Sequence, residues 1–377
     1  MTRKKVLILL GSMCLALMMV VMACAGPAPS PTPSPSPSPS PSPSPSPSPP
    51  PTGELPEVHW RWQAAYPLGD QWATVLTQDI IDYIAEKSGG KFTGERFFAG
   101  EIMPPEEMLT GIGAGLAEAG EGAANYWAGI ESALDLSFGL PMMGRAPIGD
   151  AMAFQNLGPW SEETRTIFKD NGCHFVGWHT YGPYPVLCSR VPVYGISDWK
   201  GVKVRISGYN AALLEAMDAS TTYIPGAEIA EALTMGTIDV GTWSAECILD
   251  MGFGEVMDYL IMPPFMDHMG GVTFINQEAW DALPEEYKDY VEEAERMAAW
   301  ESHRFYNKYM ADDINLATGA GTAGPYGYDV IYFSDEDIAE MARLAEEVVW
   351  SDWAKTSPLC AKGIEIAKEW YGPVFRM

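Results

Sequence analysis

Between residues 27 and 51 the chain is an almost unbroken Ser-Pro alternation, and such a segment cannot belong to a folded core. Proline fixes φ, has no N–H and pushes the residue before it toward an extended conformation. As polyproline II, about 25 such residues at about 3.1 Å each would reach on the order of 75 Å. Whether polyproline II or a disordered spacer, the tract separates a short leader from a large body. The leader carries Arg3, Lys4 and Lys5 ahead of an apolar run over 6–22. That run is short and basic on its N-terminal side, which suits an export signal better than a permanent span.

The run ends Val21-Met22-Ala23-Cys24, which resembles the site where bacterial lipoproteins are cleaved and the cysteine acylated. Met22 departs from the usual small residue, and cleavage near Ala25 without a lipid is the alternative. Cys14 follows Met13 and is the weaker lipidation candidate. The expected organisation is a signal peptide over 1–23 and a lipid-anchored tether over 24–53, followed by a body held outside the cytoplasm. Formal net charge is −27, and losing Arg3, Lys4 and Lys5 takes it to −30. Such a body repels nucleic acid and anionic lipid, although one buried cation can still dominate a local site. Cys173, Cys188, Cys247 and Cys360 have no metal-like spacing. They are inert thiols or a pair that oxidises, and the sequence does not choose.

Helical and strand signals alternate through the body, as in α/β proteins. Strands are expected near 58–63, 173–179, 202–206 and 238–242. Val75, Leu76, Ile80, Ile84 and Ala85 recur at helical spacing, and Ser88-Gly89-Gly90 ends that helix. A second helix is expected from Pro105, with Met108, Leu109, Ile112 and Leu116 on one side, and short ones over 210–217 and 227–235. From Pro284 to about Ala317 there is neither glycine nor another proline. A helix of roughly 30 residues is about 45 Å long, longer than one small lobe is wide, so it should span two. Ser334 reads as the N-cap of a helix through Trp350.

Two stretches then carry a known pattern. Residues 197–206, Ser-Asp-Trp-Lys-Gly-Val-Lys-Val-Arg-Ile, resemble a strand of the receptors of TRAP (tripartite ATP-independent periplasmic) transporters. Residues 224–233, Ile-Pro-Gly-Ala-Glu-Ile-Ala-Glu-Ala-Leu, with Gly236, Ile238 and Asp239, resemble the family's next motif. The similarity extends over about 58–370. It is greatest to receptors for 2-oxo and 2-hydroxy monocarboxylates, which have counterparts of Tyr126-Trp127, Trp243, Phe274-Ile275-Asn276 and Ala279-Trp280. The resemblance implies a two-lobed, periplasmic-binding-protein-like α/β fold with hinge strands and a long helix crossing both lobes. Lobe I would be 54–182 plus 269–308, and lobe II 183–268 plus 309–377. The implied function is capture of a small organic carboxylate for TRAP membrane subunits, with no catalysis.

Candidate site residues follow from that pattern. On strand alternation alone, Arg205 shares a face with Lys203 and reads as a solvated arginine. The resemblance makes it the fork that grips a ligand carboxylate, for which a planar guanidinium is suited and lysine is not. Trp243, Tyr126 and Trp127 match ligand-contacting positions, with core packing as their alternative. Oxo-acid receptors of this kind also hold Na⁺ or Ca²⁺ through a glutamine, a glutamate before the tryptophan and a further carboxylate. Here those positions hold Tyr184, Thr242 and, loosely aligned, Asp267, too few oxygens for a cation that wants several. Asp267 is the one weak metal candidate. Tyr181, Tyr184, Phe265, Met266 and Met269 would give a soft, aromatic cleft suited to an apolar tail.

Two other functions compete. A secreted glycoside hydrolase would use paired carboxylates, such as Glu228 with Glu231 or Asp239 with Glu246. With 50 acidic residues such pairs are unavoidable, and no nucleophile elbow, zinc-type His pair or phosphate loop accompanies them. A two-lobed receptor could also report to a membrane sensor instead of a transporter; neighbouring genes would separate these.

Overall fold

The computed structural model describes residues 54–68, 71–143, 147–318 and 327–372. The leader, Cys24 and the tether lie outside the described residues.

Two mixed sheets make two lobes. In the first, strands β1 (Val58–Ala64), β2 (Phe92–Phe97), β3 (Ala119–Ala123) and β4 (Cys173–Thr180) combine with the late strand β10 (Gly270–Asn276). Their order is β2-β1-β3-β10-β4, with β1 parallel to both neighbours and β10 antiparallel to both of its own. The second sheet holds β5 (Val186–Ser189), β6 (Lys203–Arg205), β7 (Ser220–Thr222), β8 (Val240–Trp243), β9 (Tyr259–Met262) and β11 (Asp329–Tyr332). Its order is β11-β9-β5-β8-β6-β7, with β6 parallel to β7 and β8.

Apolar periodicity explains most of the helices. In Gln71–Lys87 the described apolar side chains that are buried are Leu76, Ile80, Ile81 and Ile84, with Thr77 between them. Gly89 and Gly90, at φ +63° and +81°, turn the chain out of that helix. The segment from Pro105 differs from expectation. A 3-10 turn leads into a helix that stops at Gly113, so Leu116 lies beyond it and is exposed. Two extended passages join the lobes, over 181–185 and 263–269, and they pair with each other. Tyr184 N–H donates to Met266 O at 3.0 Å, Met266 N–H to Tyr184 O at 2.8 Å, and Tyr181 N–H to Met269 O at 2.8 Å.

The long helix, Glu285–Thr318, has 34 residues and packs on β4 and helix Gln71–Lys87 of the first lobe and on β11 of the second. Ser334 caps the helix Asp335–Leu344, its Oγ accepting from Asp337 N–H at 3.1 Å, and the chain stays helical to Trp350 through a wider turn. The last helix, Pro358–Tyr371, packs on the first lobe's helix Pro159–Asp170. Gly363 admits Leu136 and Trp160 of the first lobe against its backbone, and Lys362 pairs with Glu163 at 2.6 Å.

Candidate ligand cleft

Parallel strands of both sheets end facing one cleft. Side chains just beyond the carboxyl ends of such strands are free of the ladder, which is why open α/β sheets bind ligands there. From the second sheet come Arg205 at the end of β6 and Trp243 at the end of β8, with Tyr223 just past β7 at the mouth. The first sheet contributes Tyr66 after β1 and Asn125 and Tyr126 after β3. The crossing segments add Tyr181, Tyr184 and Met269. The side chains close in on one another here, leaving a cavity of only about 20 Å³, room for little more than a water molecule.

Arg205 is 1 % exposed, which rules out the solvated-arginine reading. Its Nε donates to Ile224 O at 2.8 Å and Nη1 to Thr242 O at 3.1 Å. The guanidinium lies 5.1 Å from the Trp243 ring centre and 5.3 Å from that of Tyr223. Thr242 Oγ1 in turn donates to Arg205 O at 2.8 Å. Of the five N–H bonds a guanidinium offers, two are held by carbonyls. Among the described residues, Nη2 and one hydrogen of Nη1 have no protein partner. Among the described residues no carboxylate pairs with Arg205. Burying an uncompensated charge is costly, and carbonyls with aromatic faces compensate only in part.

Gly226 makes room for this arrangement. A Cβ there would stand 2.5 Å from Trp243 Cη2, so only glycine lets the 224–228 turn lie against the indole. Tyr184 hydroxyl is 3.3 Å from Ser207 Oγ, and its ring meets Phe138 edge-on. Asn125 turns a buried Oδ1, without a protein partner, in the same cleft.

Trp127 is a correction to the expected cleft lining. It is fully buried with Phe168 and Phe274, its Nε1 donating to Pro105 O at 3.0 Å. Residues 124–127 form a 3-10 turn, which aims consecutive side chains about 120° apart. Tyr126 therefore faces the cleft and Trp127 the core. Asp267 is half-buried on a crossing segment and does not line the cleft. Phe265 and Met266 are likewise buried outside it. Both Thr242 oxygens are engaged with Arg205, and Glu246 accepts from Ser244 Oγ at 2.5 Å. With both Thr242 oxygens engaged and Asp267 outside the lining, the expected ligand positions fit a bridging cation poorly. Of the hydrolase pairs, Glu228 and Glu231 are both exposed, and Asp239 accepts from Lys203 N–H at 2.9 Å. Tyr66, Asn125, Ser207 and Tyr223 were missed by sequence reasoning; their position just past strand ends is the signal that could have found them.

Behind Tyr181 lies a buried ionic cluster. His179 Nδ1 is 2.9 Å from Glu295 Oε1 on the long helix, and Nε2 is 3.2 Å from Glu121 Oε1 on β3. Nε2 also stands 3.1 Å from the Tyr181 hydroxyl. Burial opposes charge on the ring, but the Glu295 and Glu121 carboxylates outweigh it and raise the imidazole to about 9.

Residues 71–356 match the family described as bacterial extracellular solute-binding protein, family 7. The chain belongs to this family. A curated relative, a monocarboxylate 2-oxoacid-binding periplasmic protein of Nostoc sp., is 25% identical over 284 residues, 74% of this chain and 76% of its own length. Two solved TRAP solute-binding proteins share the fold. One, from Pseudoalteromonas atlantica with bound sodium and pyruvate, has a TM-score of 0.75 at 20% identity, covering 84% of this chain and 95% of its own. The other, from Bordetella bronchiseptica with calcium and picolinate, has a TM-score of 0.71 at 22% identity, covering 84% and 92%. Among the described residues no helix is long and apolar enough to cross a membrane.

Proposed function

We propose that this TRAP solute-binding protein captures a small 2-oxo or 2-hydroxy monocarboxylate for a TRAP membrane transporter, tethered outside the cytoplasm by acylated Cys24. The observation that carries the ligand class is Arg205, a fully buried guanidinium with an unfilled fork and no carboxylate partner. A ligand carboxylate supplies the missing charge. Trp243, Tyr126 and Tyr184 flank it, and Tyr66, Tyr181, Phe138 and Met269 give the lining an apolar, aromatic character that suits an apolar tail. The hinge is the paired passage around Tyr184 and Met266, with lobe I as 54–182 plus 269–308. The poor cation fit favours ligand binding without Na⁺ or Ca²⁺.

Calorimetric titration tests the reading. A panel of pyruvate, longer 2-oxo acids and aromatic carboxylates, with and without Na⁺ and Ca²⁺, should yield binding that Arg205→Ala weakens by about 30-fold or more. A charge-assisted contact in a desolvated cleft is typically worth about 2–5 kcal/mol on truncation, and about 1.4 kcal/mol is tenfold. Arg205→Lys should recover part of the loss, because the charge remains while the fork is gone. Undiminished binding by a folded Arg205→Ala protein would remove Arg205 from the site.

A further inference from the structure

The mouth of the cleft carries one contact that joins the lobes directly over Arg205. Tyr223, just past β7 in the second lobe, sets its ring 5.3 Å from the guanidinium. Its hydroxyl donates to Glu106 Oε1 at 3.1 Å. Glu106 belongs to the 3-10 turn Pro105–Glu107 of the first lobe, so this bond crosses the cleft. Both residues line the mouth beside Asn125, Tyr126 and Ser207. The lining carries one charge of each sign. Among the residues lining cleft and mouth, Arg205 is the single base and Glu106 the single acid.

We propose that Glu106, held over Arg205 by Tyr223, restricts the cleft to ligands carrying a single negative charge. The inference rests on the reading of Arg205 as the carboxylate fork. The first carboxylate of a ligand is satisfied by that fork. A second finds no second cation in the lining and meets the Glu106 carboxylate at the exit. Opposing a like charge is a common way to reject a wrong ligand, and the low-dielectric walls of a closing cleft focus the repulsion. A keto group, a hydroxyl or an apolar tail pays no such penalty. Glu106 is exposed, so the repulsion is screened by salt, unlike a purely steric exclusion.

The probes are pyruvate and malonate, titrated against the unmodified protein, Glu106→Gln and Tyr223→Phe at low and high ionic strength. The unmodified protein should prefer pyruvate. Glu106→Gln should raise malonate affinity relative to pyruvate by about tenfold at low salt, and by less at high salt. Tyr223→Phe keeps the ring on Arg205 but releases the carboxylate, so it should shift the ratio the same way by a smaller factor. A ratio unchanged in Glu106→Gln, or shifted equally at both salt concentrations, overturns the charge filter. So does an unmodified protein that binds malonate as tightly as pyruvate. If the unmodified protein binds neither, the carboxylate reading fails and the filter falls with it. Circular dichroism on each variant confirms folding, which an exposed Glu106 supports little.

Discussion

His179 and Trp127 show how far a single side chain's role depends on what surrounds it. The fold favours the charged imidazole of His179, whose ordinary value is 6.5 and which rises to about 9. Its contribution to stability is therefore complete below pH 6.5 and is lost as the pH climbs through about 9. Asp135 acts in the same direction in a lower window. Burial pushes its carboxyl up to about 7 against a hydrogen bond from Trp353, so its share is lost as the pH rises from the ordinary 3.8 through about 7. Thermal unfolding followed from pH 4 to 10 should thus fall in two stages. Asp135→Asn should flatten the lower stage. His179→Gln should flatten the upper one, which is worth on the order of 3 kcal/mol. A melting temperature that holds steady between pH 6.5 and 9 would show that the imidazole is not held charged. Trp127 and Trp243 separate along another axis. Trp127→Ala should cost about 3–5 kcal/mol of stability while the folded fraction keeps its affinity. Trp243→Leu should reduce affinity several-fold at a smaller stability cost. Chemical denaturation paired with titration reads both.

Among the elements, the turn between β7 and helix Ile229–Thr234 does most to shape the cleft. Ile224 O holds the Arg205 Nε, Tyr223 covers the guanidinium, and Gly226 backs Trp243. Gly226→Ala places a methyl 2.5 Å from the indole edge, and overpacking of this kind costs about 1–3 kcal/mol. The indole can yield toward the cleft more easily than the backbone can move. We expect a loss of ligand affinity of about tenfold or more, with a shift in tryptophan emission and a small fall in melting temperature. Affinity equal to that of the parent would mean that the turn, not the indole, gives way.

At the scale of the whole molecule, two lobes meet through the paired passages at Tyr184 and Met266, the long helix and the Tyr223–Glu106 contact. Such a joint allows closure on a ligand. Small-angle scattering should show a smaller radius of gyration when a tightly bound carboxylate is added; tight binding without compaction would contradict a hinged mechanism. Tethering is tested separately. Cys24→Ser should release the protein from membranes or leave its leader uncleaved, and unchanged membrane retention with normal cleavage would remove the lipid anchor.

Local order was legible in the sequence because it depends on neighbours along the chain. Apolar spacing marked the helix at 71–87, absence of breakers marked the one at 285–318, and Ser334 marked its cap. The motif around 197–206 marks Arg205 without reference to its burial. Tertiary structure alone decided what those side chains meet. Strand alternation put Arg205 beside Lys203, yet Arg205 is enclosed while Lys203 stays exposed, because only the end of β6 is roofed by Tyr223 and Trp243. Adjacent Tyr126 and Trp127 part company through a one-turn 3-10 geometry that no apolar period encodes. The last helix crosses to the first lobe through a glycine contact some 200 residues distant in sequence. His179, Glu121 and Glu295 come from three separate elements. Their encounter is a property of packing, since burial and convergence are set by segments far apart in the chain.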